Sequence, residues 1–160
     1  RHVTHNDRLR VLEIFNANSP VSTSVYVYSP DYREILQAWF KARVEGGYTV
    51  LVAEEDWVIL GLSSIGPFRV PTAYQYSVEN TVHVAATARG RGVGKLLMPP
   101  IIEAARQMNK HTIIAGIDAA NEVSLHLHKS FGFEEVGDFK EVGYKFDRWR
   151  DLKVLQLMLI

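Results

Sequence analysis

Residues 89–95 read Arg-Gly-Arg-Gly-Val-Gly-Lys and are the segment whose residue types and spacing most clearly indicate chemistry. Their three alternating glycines lie between a run typical of a strand and a run typical of a helix. Without side chains, successive backbone N–H groups can point into one concavity, and the N-terminus of the following helix adds positive potential. Arg89, Arg91 and Lys95 surround that concavity with cationic donors. The segment therefore predicts a phosphate-binding turn.

Two other phosphate-binding motifs do not fit this segment. A Walker A loop has Ser or Thr after its Lys, whereas Leu96 follows Lys95, and the glycines here are too closely spaced. A dinucleotide fingerprint reads Gly-x-Gly-x-x-Gly, with an acidic residue about 20 positions further on. The glycines here, at 90, 92 and 94, follow a different spacing. A tight strand-to-helix turn with solvated arginines remains the alternative interpretation.

A strand must precede the glycine turn and a helix must follow it, and the hydrophobic pattern predicts both. The mixed order of elements predicts a single α/β domain over residues 1–160, of the α+β type. Pro99 and Pro100 fall inside the helix after the turn, which predicts a kink or a late helix start. The predicted helices are about 7–18, 30–45, 93–108 and 121–130, and the predicted strands are 48–54, 57–64, 74–85, 112–118, 133–137, 143–146 and 154–160.

The composition limits the possible partners of this domain. The chain has 160 residues, 47% of them hydrophobic, which suffices for one buried core. Its 18 basic residues equal its 18 acidic ones, so we expect neither nucleic acid nor an anionic membrane as the main partner. The chain has no cysteine, and its six histidines lack metal-ligand spacing, so we expect no metal. It shows no signal peptide and no apolar run long enough to span a bilayer, so we expect a soluble cytoplasmic protein.

The glycine turn and a downstream segment together resemble the GNAT superfamily of N-acetyltransferases. Arg89-x-x-Gly92-x-Gly94 matches that family's Arg/Gln-x-x-Gly-x-Gly/Ala element, whose backbone amides hold the pyrophosphate of acetyl-CoA. A second family element matches at Asn121, Ser124 and Leu127 and continues through residues 131–133. Their joint occurrence, separated by a helix and a strand, is far more specific than either element alone.

The whole chain is most similar to the phosphinothricin and methionine sulfoximine N-acetyltransferase group. The segments that carry this likeness are residues 66–69, 74–82, 127–133 and 142–149. His83 departs from the group, which usually has Tyr there. The resemblance implies a GNAT-like domain with a mostly antiparallel central sheet flanked by helices, acetyl-CoA as co-substrate, and a homodimer. The residues expected at the cofactor are Val82, His83, Val84, Arg89, Gly90, Arg91, Gly92, Val93, Gly94, Lys95, Asn121 and Ser130.

Acetyl transfer to an amine requires a neutral amine, a polarised thioester and a proton for the departing thiolate. Glu79 lies within an apolar strand, where burial can raise the pKa of a carboxylate toward that of a general base. His128 is the second catalytic candidate, because an imidazole can protonate a thiolate or relay the proton of the amine. Backbone N–H groups near His83 are expected to polarise the thioester. The alternatives are a solvated strand carboxylate and a packing histidine.

The amine acceptor is the least determined part of the hypothesis. Arg69 precedes the strand that carries Glu79, and a guanidinium can hold a carboxylate or phosphinate with two hydrogen bonds. Tyr74 and Lys145 are expected to line the same pocket, either within one chain or across a dimer. The predicted reaction is direct acetyl transfer to the α-amino group of a substrate such as phosphinothricin or methionine sulfoximine. The alternatives are a polyamine or a protein N-terminus as acceptor, and an acyl-CoA-binding module without catalysis.

Overall fold

A computed structural model of the protein describes residues 1–21 and 33–160. Its centre is a six-stranded sheet in the order β1-β2-β3-β4-β6-β5. Only β3 and β4 pair in parallel, and the other neighbouring strands are antiparallel. This arrangement confirms the predicted mixed, mostly antiparallel sheet. The strands are β1 Val50–Glu55, β2 Val58–Pro67, β3 Ser77–Val84, β4 Thr112–Asp118, β5 Glu134–Lys145 and β6 Arg148–Met158.

Helices cover both faces of this sheet: α1 Arg8–Val21, α2 Arg33–Glu45, α3 Val93–Gln107 and α4 Glu122–Ser130. Helix α3 packs closely on one face of β2. On that face, a Cβ added to Gly61 would lie 3.0 Å from the side chain of Val93. Helix α1 packs on the opposite face, where the rings of Phe15 and His83 lie 4.4 Å apart. Side chains along a strand alternate between faces, so Asn80, Val82 and Val84 share the α3 face. Glu79, Thr81 and His83 share the face covered by α1 and α2.

Two element predictions need correction. The C-terminal region forms one hairpin of two long strands, β5 and β6, rather than three short ones. Phe146 and Asp147 form its two-residue turn, with φ of 55° and 54°. The turn lacks the Asn-Gly or Asp-Gly pair that is typical of such hairpins, so the sequence did not predict it. The other correction is to the bounds of two strands: β2 runs to Pro67 instead of ending at 64, and β3 begins at Ser77 instead of 74, because Thr72–Tyr74 form a 3-10 turn. The predicted start of the second helix at Ser29 lies outside the described residues.

The prolines of α3 do not delay the helix. Helix α3 begins at Val93 and continues through Pro99 and Pro100 to Gln107, so the predicted late start is wrong. Both prolines lie on the exposed side of the helix. The carbonyl groups that lose their N–H partners there, those of Lys95 and Leu96, belong to exposed residues and can bond to water instead.

Candidate active site

The candidate site is an opening between the two parallel strands. Strands β3 and β4 pair only over residues 77–79 and 112–114, although they continue to Val84 and Asp118. Beyond Glu79 they no longer pair, and a cavity of about 260 Å³ lies between them. Its lining comes from both faces of the sheet: Phe15, Glu79, Asn80, Thr81, Val82, His83, Ala115, Gly116, Ile117, Asp118, Asn121, Ser124 and His128.

The backbone of β3 presents hydrogen-bonding groups to this opening. Ala85 N–H donates to the carbonyl of Leu60 on β2 at 2.8 Å. Because hydrogen bonding alternates along a strand, the backbone of His83 also faces β2, and the backbones of Val82 and Val84 face the opening. Val82 and Val84, rather than His83, thus present the N–H groups that could polarise a carbonyl between the strands. The His83 side chain is buried against Phe15, and burial, followed by the charge of Arg89, lowers the pKa of His83 to about 4.

Glu79 lies where the parallel pairing ends, half-buried on the α2 side of the cavity. Burial raises the pKa of the Glu79 carboxyl, and the positive charges of Arg43 and Arg69 oppose that rise. Its Oε1 would be 3.9 Å from a Cβ at Gly116, so the carboxylate reaches toward β4. A carboxylate with a raised pKa beside an open cavity has the properties of a general base.

His128 lies on the opposite side of the opening, buried in α4 and held at both ring nitrogens. Its Nδ1 is 2.7 Å from the carbonyl oxygen of Ser124, which can only accept, so Nδ1 carries the hydrogen. The Nε2 lone pair then accepts from Nδ2 of Asn80 at 3.1 Å. Burial lowers the pKa of His128, and the hydrogen bond to Ser124 partly offsets this. In this tautomer the neutral ring accepts a proton at Nε2 and has none to donate there.

The glycine turn has the geometry expected of an anion cradle. Gly90 and Gly92 have φ of 76° and 82°, values that strongly favour glycine. Gly92 is the N-cap of α3, so the first N–H groups of the helix, which lack intrahelical partners, point outward beside it. A Cβ at Gly94 would lie 3.0 Å from Leu127, so the turn also packs closely on α4. The turn and the second sequence element are therefore adjacent in space.

The cations of the turn are exposed. Asn121 and Ser130, at the two ends of α4, make hydrogen bonds within their own helix. Arg91 pairs with Glu55 of the first hairpin. Asn121 is the N-cap of α4 and accepts from the backbone N–H of Ser124 at 3.2 Å, and it also lines the cavity. Ser130 Oγ donates to the carbonyl of Leu127 in the same helix at 2.6 Å.

The predicted acceptor residues lie at different depths. Arg69 is exposed in the loop after β2, 5.3 Å from the ring of Phe68, and Tyr74 is 41% exposed. Lys145 is buried at the end of β5. Burial lowers the pKa of Lys145, as does Arg150, while the charge of Asp118 opposes the effect. Asp118 lines the cavity, whereas Arg69, Tyr74 and Lys145 are not among its lining residues.

Two polar residues at the site escaped the sequence analysis. Asn80 is buried in β3, and its Oδ1 has no hydrogen-bond partner among the described residues. The positive charge of Arg43 on α2 acts on Glu79. The Nε of Arg43 is buried and has no hydrogen-bond partner among the described residues. No sequence motif marks either residue, because the partner of each is distant in the sequence: His128 for Asn80 and Glu79 for Arg43.

Residues 1–21 and 33–160 contain no cluster of His, Asp and Glu that could hold a metal ion. Within those ranges no helix is both long and apolar enough to cross a membrane.

Comparison with known proteins identifies relatives along most of the chain. The family described as the acetyltransferase (GNAT) family matches residues 9–133. The L-methionine sulfoximine/L-methionine sulfone acetyltransferase of Salmonella typhimurium is 42% identical over 122 residues, which are 76% of this chain and 71% of that protein.

Solved structures share the fold over nearly the full length. The ribosomal-protein-alanine N-acetyltransferase from Brucella melitensis is 40% identical with a TM-score of 0.94, covering 99% of this chain and 98% of that one. A phosphinothricin acetyltransferase from Sinorhizobium meliloti, solved in complex with acetyl-CoA, is 28% identical with a TM-score of 0.94, covering 99% and 86%.

Proposed function

Since this chain belongs to the acetyltransferase (GNAT) family, we propose that it transfers the acetyl group of acetyl-CoA to the α-amino group of a small amino-acid-like acceptor. Methionine sulfoximine, methionine sulfone and phosphinothricin represent that acceptor class. The observation that carries the proposal is the opening between β3 and β4, with a carboxylate at one side and an imidazole at the other.

The glycine turn fits the pyrophosphate of acetyl-CoA. Gly90 and Gly92 adopt positive φ and carry no side chain that would cover the backbone N–H groups, and the start of α3 adds the positive end of its dipole. Arg89, Arg91 and Lys95 are cationic donors beside the cradle. Ser130 and Asn121, at the two ends of α4, would hold the cofactor's arm, and Asn121 also lines the opening. Acetyl-CoA supplies the activated acetyl group as a thioester.

The two sides of the opening then divide the proton chemistry. Glu79 takes a proton from the ammonium form of the acceptor, which is needed because an α-amino group has a pKa of about 8. The backbone N–H groups of Val82 and Val84 stabilise negative charge on the carbonyl oxygen. His128 Nε2 accepts the second proton of the attacking amine and returns it to the departing thiolate. The tautomer of His128 favours this relay over a role as a standing acid.

The acceptor binds on the α2 side of the opening, where Glu79 projects. Arg69 and Tyr74 from the loop after β2, and Lys145 from the end of β5, are the residues proposed to contact the acceptor from outside the cavity lining. We also propose a homodimer, because the β5–β6 hairpin beside Lys145 leaves the aromatic rings of Phe146 and Trp149 43% and 62% exposed. Cytoplasmic location would give the enzyme its supply of acetyl-CoA.

A protein N-terminus is the second candidate acceptor, and one relative supports it specifically. The Brucella melitensis structure named for ribosomal-protein-alanine acetylation is 40% identical to this chain. Such an acceptor also presents an α-amino group, so Glu79 and His128 would serve it unchanged. It lacks a free α-carboxylate beside the amine, and this difference separates the two candidates.

An acceptor panel tests the proposal. Acetyl-CoA is incubated with methionine sulfone, phosphinothricin, an alanine-initiated peptide or spermidine, and free thiol release and product mass are measured. We expect the highest kcat/KM for one of the amino-acid-like acceptors. Faster acetylation of the peptide would establish the N-terminal activity instead. Acetyl-CoA binding by calorimetry without thiol release for any amine would reduce the protein to a binding module.

A further inference from the structure

Arg43 is a half-buried cation with an unusual environment. It stacks on the ring of Trp39, with Cζ 4.1 Å from the ring centroid. Its Nε is buried and has no hydrogen-bond partner in the described part of the chain. Burial lowers the pKa of Arg43 to about 10, against the favourable charge of Glu79, so the side chain remains a cation near neutral pH. Buried charged donors without partners are rare, and each requires an explanation.

The fold makes room for this guanidinium directly beside Glu79. Gly66 on β2 is the register partner of Glu79 on β3. A Cβ at Gly66 would lie 2.8 Å from Cζ and from Nη2 of Arg43. The guanidinium therefore occupies the space that a side chain at residue 66 would fill. Any side chain there would push it away from the carboxylate.

Glu79 and Arg43 form a pair of opposite charges that is complementary to the two charged groups of an α-amino acid. The carboxylate of Glu79 complements the ammonium group, and the guanidinium offers a planar fork of donors to the adjacent α-carboxylate. We propose that Arg43 binds the α-carboxylate of the acceptor and so selects free amino acids over amines that lack this group. This assignment rests on the proposed acetyltransferase function and names the substrate group that this function leaves open.

The other cations near the site are less suited to this role. The charge of Arg69 also acts on Glu79, but Arg69 is exposed, and solvent weakens the interaction between exposed charges. Arg150 has a buried Nε without a partner among the described residues, yet its charge acts on Lys145. Among the cations of the described residues, Arg43 combines a buried Nε with electrostatic coupling to the proposed base.

The test compares two acceptors that differ in one group. Methionine sulfone carries the α-carboxylate, and its decarboxylated amine does not. The kcat/KM ratio for the two is measured in the wild type, Arg43→Gln, Arg43→Lys and Gly66→Ala. Arg150→Gln is the matched control, because Arg150 is also half-buried with a buried Nε. The ratio cancels any effect that the loss of Arg43 has on Glu79, because both acceptors need the same base. Calorimetry with acetyl-CoA verifies that each variant retains a folded cofactor site.

We expect the wild type to prefer methionine sulfone and Arg43→Gln to reduce that preference about 10- to 100-fold, the effect of losing a charge-assisted hydrogen bond. Arg43→Lys should restore part of it, Gly66→Ala should reduce it with Arg43 present, and Arg150→Gln should retain it. Equal losses for both acceptors in Arg43→Gln, or a collapse of the ratio in Arg150→Gln alone, would overturn the assignment. A wild type that acetylates neither acceptor would instead refute the proposed function.

Decarboxylated phosphinothricin separates the two anions that an acceptor can carry. It retains the phosphinate and lacks the α-carboxylate. We expect Arg43→Gln to reduce the preference for phosphinothricin over this analogue. If activity with the analogue itself falls as far as activity with phosphinothricin, Arg43 holds the phosphinate and the α-carboxylate assignment is wrong.

Discussion

Replacing Asn80 by Asp tests how the protein holds the proton on His128. In the wild type the ring is neutral with hydrogen on Nδ1, because the Ser124 carbonyl 2.7 Å away can only accept. The substitution places a carboxylate where Nδ2 now lies, 3.1 Å from Nε2. Two opposite unit charges at that distance attract by about 5 kcal/mol at an effective dielectric constant of ~20. Burial of the new carboxylate opposes this attraction, and such pairs typically shift a pKa by about one to three pH units.

We therefore expect the pKa of His128 to rise by about one to three pH units in Asn80→Asp. Long-range ¹H–¹⁵N NMR correlations report both the tautomer and the pKa, and a His128→Gln spectrum assigns the signals. If Nε2 relays the amine's proton, the acidic limb of the kcat–pH profile should move up by the same amount, because only the unprotonated ring accepts. Asn80→Ser is the neutral control.

Two results would refute this reasoning. One is a wild-type His128 that carries hydrogen on Nε2 at neutral pH, which would contradict the tautomer inferred from Ser124. The other is a pKa in Asn80→Asp that equals that of the wild type. His83 serves as an internal reference, because it lies on the opposite face of the sheet beside Phe15.

Glu79→Gln should lower kcat by about 10²- to 10⁴-fold, the usual contribution of a general base, with little change in acetyl-CoA affinity measured by calorimetry; full activity would remove Glu79 from that role. In the wild type kcat should rise with pH through the raised pKa of Glu79, because the base acts only when it is deprotonated, and a flat acidic limb would contradict this. Gly92→Ala should weaken acetyl-CoA binding or destabilise the fold by about 1–2 kcal/mol, since L-residues pay this cost at positive φ; an unchanged affinity and melting temperature would count against the cradle. Replacing Pro99 and Pro100 by Ala should raise the melting temperature, because each substitution restores a helical hydrogen bond, and a lower value would show that the prolines stabilise α3.

The sequence predicted those parts of the site that depend on local patterns. Alternating glycines between a strand and a helix specify the cradle at Gly90 and Gly92, and the apolar alternation of β3 specifies where Glu79 lies. Residues 134–145 were harder, because their many charged side chains disfavour a strand. Strand β5 is held mainly by pairing with β6, which local propensity does not report.

The residues that escaped prediction act across the sheet. Asn80 is separated from His128 by 48 positions, yet the two side chains are in hydrogen-bonding contact. Arg43 of helix α2 reaches its place because Gly66 on β2 has no side chain. The same limit explains why α3 continues through Pro99 and Pro100: both lie on its exposed side, where water can bond to the carbonyl groups that lose their partners.

The proposed reaction requires the acceptor amine to attack the acetyl group directly in the opening between β3 and β4. Initial-rate kinetics in which acetyl-CoA and methionine sulfone are both varied, combined with intact-mass analysis of the enzyme during turnover, would detect this direct transfer. We expect intersecting reciprocal plots, an N-acetylated product and an enzyme of unchanged mass. Parallel plots with an acetylated enzyme, or no transfer to an α-amino group, would contradict it.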